Sequence, residues 1–304
     1  MIDLTNNNSQ LNADLKAAAL RAVLFFDLFD YPLTAYEIWR YLDRPASLRA
    51  VMEILDQGIT GISGGGGVYF RVGRDKLILE RIRRYNVSRE KLRLAKRSIA
   101  LLKILPGIKF IGIANLIGAH NWRPNSDIDL LVISSPGRVW TSRFFAAGLM
   151  KLLRRRPQGV NKADKICLSF YVDTTALDFT RLRLNPYDPY FTYWLADLLP
   201  VYGEFLYPRL IRENKWLRYA LPNWQPNVRR VPEKRLSQPN SFSLALERLL
   251  RRWQLKIMPL ALSRPGNNSG VVINNHMLKL YVADKRAEIA FKFKQSYENL
   301  RSAH

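Results

Sequence analysis

The chain has 304 residues, of which 48 are Lys or Arg and 25 are Asp or Glu, so its formal net charge is +23. A hydrophobic content of 48% is typical of a folded globular protein, and a single cysteine with three histidines excludes an intramolecular disulfide and a zinc finger. A charge this positive attracts polyanions such as nucleic acid, nucleotides or an anionic membrane surface.

The first residues carry neither the basic start nor the apolar segment of a secretory signal. The most apolar region, residues 99–119, is interrupted by two lysines and a proline, and no other window approaches the ~18 apolar residues of a membrane span. We therefore expect a soluble, cytoplasmic protein.

Three helices are predicted near the N-terminus. Residues 12–30 place apolar side chains at helical spacing, and Thr34 with Glu37 forms a capping box that begins a second, short helix. Ser47 is suited to cap a third helix over 48–57, which a glycine ends.

A glycine-tipped hairpin is predicted directly after these helices. Residues 59–62 and 68–72 flank four consecutive glycines, and three helices followed by such a hairpin are typical of a winged-helix-like module, here residues 1–75. The predicted third helix has one arginine against two carboxylates, which is unfavourable for phosphate contacts. Protein–protein or structural use of this module is slightly favoured over sequence-specific DNA binding.

Residues 76–105 are predicted to form a basic helical connector, with Ser88 as a cap. Its buried stripe is predicted to consist of four residues at helical spacing, Leu92, Ala95, Ile99 and Leu102. Its remaining surface is predicted to carry the basic residues Arg89, Lys91, Arg93, Lys96, Arg97 and Lys103. A solvated basic face and a binding surface for polyanions are equally compatible with this pattern.

Residues 106–220 have the pattern of an α/β (α+β) core. Strands are predicted over 109–114, 129–133 and 166–172, with a helix over 137–155.

The C-terminal region, residues 221–304, is predicted to begin with a proline-rich connector over 221–240. A basic amphipathic helix follows over 242–258, and a last helix covers about 284–301. The basic face of the first of these helices makes peripheral membrane attachment a weaker third hypothesis.

Two carboxylates, Asp127 and Asp129, stand one residue apart at the start of a predicted buried strand. Side chains at i and i+2 share one face of a strand, so the two carboxylates lie close together and each disfavours ionisation of the other. A divalent cation between them removes this conflict, and Mg²⁺ completes its shell with water and phosphate oxygens. A solvated turn is the alternative for so short a motif.

The stretch GIANLIGAHNWRPNSDIDLLVI resembles the signature region of the DNA polymerase beta-type nucleotidyltransferase superfamily. Three further stretches, FFDLFDYPLTAYEIW, SREKLRLAKRSIALL and DKICLSFYV, resemble uncharacterised bacterial nucleotidyltransferase-domain proteins with a winged-helix-like N-terminus. The resemblance implies a nucleotidyltransferase-like core in which Asp127 and Asp129 bind the metal and Ser126 shapes the preceding turn.

Two departures from the superfamily pattern bear on the site. The Gly-Ser pair that binds nucleotide phosphates falls at Asn115 and Leu116, and the amide of Asn115 is a partial substitute for the serine hydroxyl. Asn115 and Ser126 are thus the nucleotide-binding candidates. The third metal carboxylate is expected on the 166–173 strand, where alternation places Cys167, Ser169, Tyr171 and Asp173 on one face and leaves Asp173 as the candidate.

These observations predict a nucleotidyltransferase, dependent on Mg²⁺ or Mn²⁺, that transfers an NMP from an NTP to an unknown acceptor. Its partners would be an NTP and a polyanionic acceptor such as nucleic acid, with a protein partner also open and a membrane disfavoured. The alternative is a catalytically degenerate protein of the same fold that binds nucleotide or nucleic acid without turnover.

Overall fold

The computed structural model of the chain describes residues 4–114, 120–159, 161–184, 187–226, 241–263 and 269–302. These residues form a mixed α/β fold whose helices are α1 (Leu4–Asp27), α2 (Ala35–Tyr41), α3 (Leu48–Asp56), α4 (Leu77–Leu102), α5 (Val139–Leu152), α6 (Pro189–Ala196), α7 (Tyr207–Glu213), α8 (Trp216–Ala220), α9 (Ser241–Lys256), α10 (Leu260–Ser263) and α11 (Arg286–Ser302). The strands are β1 (Ile62–Gly65), β2 (Val68–Arg71), β3 (Ile108–Ile113), β4 (Ile128–Ser134), β5 (Ile166–Asp173), β6 (Leu199–Tyr202), β7 (Val271–Ile273) and β8 (Met277–Leu280).

Local capping begins α2 and α3 at the predicted residues. The hydroxyl of Thr34 accepts a hydrogen bond from the Glu37 N–H at 3.2 Å, and the Glu37 carboxylate accepts one from the Thr34 N–H at 2.8 Å. The Ser47 hydroxyl accepts from the Ala50 N–H at 3.1 Å. Both predicted caps are confirmed, because each satisfies N–H groups that the first turn of a helix leaves unpaired.

The hairpin of β1 and β2 lies further along the chain than predicted. Its first strand is Ile62–Gly65, so two of the four glycines lie inside it, and the prediction of a strand over 59–62 is wrong. Gly66 and Gly67 form the two-residue turn with φ angles of 57° and 76°. A two-residue hairpin turn of this kind needs positive φ at both central positions, which glycine adopts without strain.

The six-stranded sheet has the order β6-β3-β4-β5-β8-β7. The β4 and β5 strands are parallel and joined through α5, while every other neighbouring pair is antiparallel. Apolar residues of one face share a buried cluster with α1, α2, α3, α6, α7, α8 and α11, and those of the other face share a cluster with α4 and α5. Since the N-terminal helices share a buried cluster with the sheet, the predicted division at residue 75 runs through that cluster.

A single helix, α4, covers most of the predicted basic connector. Ala95, Ile99 and Leu102 are buried against the sheet as predicted. The prediction of Ser88 as a cap is wrong, because the helix begins eleven residues earlier, at Leu77, and Ser88 is buried in its middle. There the Ser88 hydroxyl accepts a hydrogen bond from the Trp122 N–H at 3.3 Å.

The basic helix α9 packs against α5 through a buried carboxylate. Glu247 is 8% exposed and accepts hydrogen bonds from the N–H groups of Trp140 and Thr141 at 2.7 and 2.8 Å. These donors lie in the first turn of α5, where a negative charge also complements the helix dipole. Next along α9, Gln254 donates to the Trp140 carbonyl at 2.9 Å. The inner face of α9 is therefore part of the fold.

Replacing Glu247 by alanine is expected to lower the free energy of unfolding by about 2 kcal/mol, because two buried N–H groups of α5 lose their acceptor. Urea unfolding measures this loss. Relative to the wild type, the variant should show faster hydrogen exchange in α9, with a smaller change in β4. Glu288→Ala, at an exposed glutamate of α11, is the matched control and should change stability by less than about 0.5 kcal/mol. Equal effects of the two changes would contradict the capping role.

Candidate functional site

The acidic pair lies where β4 emerges from the sheet. A turn precedes it, in which the N–H and the hydroxyl of Ser126 both donate to the Arg123 carbonyl, at 3.1 and 2.9 Å. Asp127 follows this turn, and Ile128 is buried as the first residue of β4. Asp129 then points to the sheet face that carries the N-terminal helices, as do the next alternate residues, Leu131 and Ile133. Ser126 thus shapes the turn that presents the pair.

A third side chain, Cys167, joins the two carboxylates. It pairs with Asp129 across the parallel β4–β5 register. One ligand atom from each of Asp127, Asp129 and Cys167 lies within 4.8 Å of the other two, so within the described residues these three side chains could hold a metal ion. Burial raises the pKa of the Cys167 thiol well above its usual range, and the thiol hydrogen-bonds to the Asp129 carboxylate.

The surroundings of Asp129 disfavour its negative charge. Burial first, and then the nearby charge of Asp127, raise the pKa of Asp129 from 3.8 to about 7. Its hydrogen bond with Cys167 opposes this shift without cancelling it. A group with this pKa is only partly ionised near neutral pH, so the site favours any cation that neutralises both carboxylates.

Asp173 does not join the acidic pair, and its prediction as the third metal carboxylate is wrong. Asp129 pairs with Cys167, but Leu131 pairs with Phe170, so β5 contains one extra residue between these pairs. Such a bulge reverses the alternation of side chains beyond it. Asp173 follows six residues after Cys167, roughly 20 Å along the strand, and on the opposite face.

The buried Asp173 carboxylate has a structural role at that end of the strand. It accepts hydrogen bonds from the N–H groups of Gly137 and Thr175, both at 2.9 Å, and contacts Nδ1 of His276 at 2.9 Å. These contacts join the start of α5 to the ends of β5 and the β7–β8 hairpin. The other nucleotide-binding candidate, Asn115, lies outside the described residues.

Lys91 is a buried lysine behind the acidic turn, and its burial was not predicted from the sequence. Lys91 is 2% exposed, and the prediction that it lies on the exposed surface of α4 is wrong. Its Nζ donates to the Ser126 carbonyl and to the Asp164 carboxylate, both at 2.7 Å. Asp164 also donates its N–H to the Ser126 carbonyl at 3.2 Å. Lys91 therefore fixes the turn that precedes Asp127.

A cavity of about 330 Å³ opens beside Asp129. Its floor is the sheet, where Asp129, Phe170 and Lys279 line it, and its walls come from α6, α11 and the segment after α1. Six aromatic side chains line it, namely Phe29, Phe170, Tyr190, Phe191, Trp194 and Tyr281. A small planar ring system would find stacking partners here, close to a carboxylate.

Three cations also line this cavity, Lys279, Lys285 and Arg286. Lys279 is 4% exposed and donates to the Ser269 carbonyl at 2.9 Å. Burial, reinforced by the neighbouring charge of Arg286, lowers the pKa of Lys279 to about 8. The cavity thus combines aromatic walls, three basic side chains and two carboxylates, Asp129 and Asp284, of which Asp284 is paired with Arg286.

Comparisons of the chain with protein-family models, curated proteins and solved structures found no match. Among the described helices, none has both the length and the apolar character needed to cross a bilayer.

The strands that complete the cavity floor were not predicted. The β7–β8 hairpin carries Lys279, and its signal in the sequence is VVI and MLKL on either side of Asn274 and Asn275. Alternation along the sequence places Cys167 on the correct face of β5, but its pairing with Asp129 depends on the strand register. That register depends on residues distant in sequence, which local periodicity does not specify.

Proposed function

We propose that the protein is a metal-dependent nucleotidyltransferase that transfers an NMP from an NTP to an acceptor. The observation that carries this proposal is the pair Asp127 and Asp129 beside a cavity with aromatic walls and basic residues. Paired carboxylates are the usual protein ligands of a metal that also binds substrate phosphates. Aromatic walls suit a nucleobase, and basic side chains suit phosphate charge.

Mg²⁺ or Mn²⁺ is the metal that we propose for this site. Asp127 and Asp129 provide the oxygen ligands that both ions prefer, whereas the protonated thiol of Cys167 is a poor ligand for either. Cys167 would instead orient Asp129 through its hydrogen bond. When bound, the ion would offset the negative charge that develops on the phosphates during transfer.

In the proposed reaction, an oxygen of the acceptor forms a bond to the α-phosphorus of the NTP. The bond between this phosphorus and the bridging oxygen breaks, pyrophosphate leaves with the electron pair, and the acceptor proton passes to solvent. Lys91 keeps the turn before Asp127 in place. The aromatic walls hold the base, and Lys279 lies where phosphate charge would be favourable.

The same proposal extends to the architecture. We infer that the β3–β5 region with α5 is the nucleotidyltransferase-like core, and that α1, α2, α3 and the β1–β2 hairpin form the winged-helix-like module. Supporting this inference, an apolar strand precedes the acidic strand β4, and three helices precede a hairpin with a two-glycine turn.

Nucleotide binding without turnover is the second candidate function. It is favoured by one observation: on β5, the residue paired with Asp129 is a cysteine, where a third carboxylate would complete a two-metal site. A single ion held by two carboxylates is enough to bind a nucleotide. In nucleotidyl transfer, two ions commonly stabilise the attacking and the leaving oxygen.

Thermal unfolding with each of the four NTPs tests the proposed function. With Mg²⁺ or Mn²⁺ and an NTP at about 100 times its Kd, the wild type should gain about 2.7 kcal/mol of stability. Asp127→Asn should abolish this gain, because one of the two anionic ligands is lost. Asp75→Asn, at an exposed carboxylate outside the site, is the matched control and should retain it.

Pyrophosphate release, measured on the same proteins with candidate acceptors, separates the two functions. A metal-dependent gain in stability without pyrophosphate release would favour binding without turnover. If no NTP stabilises the wild type, or if the gain is unchanged in Asp127→Asn, both functions are wrong.

A further inference from the structure

The outer face of α4 is a strongly basic surface in the middle of the helix. Between residues 89 and 97 every exposed side chain is charged. Four are basic, Arg89, Arg93, Lys96 and Arg97, and one is acidic, Glu90. The four basic residues are spaced i, i+4, i+7 and i+8, so they lie on one side of the helix and form a continuous surface, here called the α4 basic face.

The charges of the α4 basic face are not neutralised within the described parts of the chain. No described carboxylate lies within 4 Å of any of its four basic side chains. Elsewhere on α4 the situation is different, since Arg81 pairs with Glu37, Arg84 with Glu80 and Lys91 with Asp164. The basic residues that stabilise the fold are paired, and those on the outer face are not.

The geometry of α4 suits a duplex backbone. From Arg89 to Arg97 the helix rises about 12 Å. A duplex carries one negative charge for about every 1.7 Å of axis, so about seven phosphates fall within that length. The opposite side of the helix is anchored in the core by Ala95, Ile99 and Leu102, which fixes the helix backbone that carries the basic side chains.

We propose that the α4 basic face binds the phosphate backbone of double-stranded nucleic acid. The alternative, an anionic membrane surface, is less well supported by this face. A helix that lies in a membrane interface inserts apolar side chains beside its basic ones. Between residues 89 and 97 no exposed residue of α4 is apolar, and the exposed large apolar residues of this helix, Leu79, Ile82, Tyr85 and Leu101, all lie outside that segment.

This surface is connected to the acidic pair through the helix itself. Lys91 lies between Arg89 and Arg93 in sequence, and its Nζ holds the Ser126 carbonyl next to Asp127. A duplex on the outer face would thus lie about one helix diameter, roughly 10 Å, from the turn that carries Asp127, although on the opposite side of the sheet from the cavity beside Asp129. A nucleic acid as the acceptor class rests on the proposed nucleotidyltransferase function, whereas the binding itself does not.

Fluorescence anisotropy with labelled duplexes of about 20 base pairs tests the proposal, using DNA and RNA of one sequence at about 50 to 200 mM salt. EDTA is present and NTP is omitted, so that a failure of the metal site does not affect the result. The test variant is Arg93→Glu/Lys96→Glu/Arg97→Glu. The matched control is Arg248→Glu/Arg252→Glu/Lys256→Glu, which changes the same number of exposed charges on α9.

The α4 variant is expected to bind both duplexes at least about tenfold more weakly than the control does, with a salt slope smaller by about 2 to 3. Circular dichroism should show unchanged helix content, because glutamate is a good helix former. Equal weakening in the two variants would mean that net charge alone attracts the duplex, and it would overturn the proposal. The proposal would also be overturned if the wild type bound vesicles that contain anionic lipid but bound neither duplex.

Discussion

Arg286→Met is expected to lower the free energy of unfolding by about 3 to 5 kcal/mol, because it leaves a buried carboxylate without its cation. Arg286 is 5% exposed, and its guanidinium contacts the carboxylates of Asp188 and Asp284, both at 2.7 Å. The side chain of Asp188 is fully buried and caps α6 by accepting from the Phe191 N–H at 3.0 Å. Without the arginine, this buried anion has no cationic neighbour at bonding distance among the described residues.

Urea unfolding of single and double variants separates the ion pair from other effects. Asp188→Asn/Arg286→Met should recover part of the lost stability, because the amide still caps α6 and carries no charge. Arg301→Met, at an exposed arginine of α11, is the matched control and should change stability by less than about 0.5 kcal/mol. A loss below about 1 kcal/mol for Arg286→Met would contradict the importance of this pair.

Lys279→Met is expected to make the protein without nucleotide more stable at pH 7, by about 2 kcal/mol. The lowered pKa of Lys279 corresponds to a cost of about 3 kcal/mol, and loss of its hydrogen bond to the Ser269 carbonyl offsets about 1 kcal/mol of the gain. The pKa of Lys279 is lowered from 10.5 to about 8 by burial and by Arg286, while Asp284 and Asp188 act in the opposite direction. A lysine whose pKa is lower in the folded state costs stability wherever it must be charged. Methionine has a similar shape and no such cost.

The difference in stability between Lys279→Met and the wild type is expected to depend on pH. Below pH 8 the folded wild type bears the full cost of the buried charge. Between pH 8 and 10.5 the folded state binds fewer protons than the unfolded state, so the stability of the wild type rises with pH. The advantage of Lys279→Met should therefore shrink as the pH approaches 10.

Thermal unfolding across this pH range measures the difference. Lys285→Met is the matched control at an exposed lysine of the same cavity and should show little dependence of its effect on pH. In the presence of NTP and metal, Lys279→Met should also lose part of the stabilisation by nucleotide, because the cavity loses a cation. A variant that is less stable than the wild type at pH 7 would contradict the expected cost.

Asp129 and Lys279 line one cavity, and burial disfavours the charge of each. Apolar residues at both positions would pack against the sheet at lower cost, so the chain retains unfavourable charges around one concave site. Such clusters are found preferentially at functional sites, although structural ion pairs also produce them. Here this cluster coincides with the acidic pair chosen from the sequence alone.

The sequence by itself determined the elements whose signals are local. The caps at Thr34 and Ser47 were predicted from residues within one helical turn, and β4 was predicted from its apolar run. The proximity of Asp127 and Asp129 followed from their spacing and from the strand that begins between them. In each case the residues that interact lie within a few positions of one another in the chain.

Only the tertiary structure decided which distant groups meet. The pairing of Asp129 with Cys167, the bulge that removes Asp173 from the site, and the β8 strand that brings Lys279 to the cavity all depend on strand register. Lys91 shows the same limit for a helix, since its spacing predicts an exposed charge whereas Asp164 and the Ser126 carbonyl stabilise it in the interior. A bulge or a buried ion pair is stabilised by partners far along the chain, and local periodicity does not predict these partners.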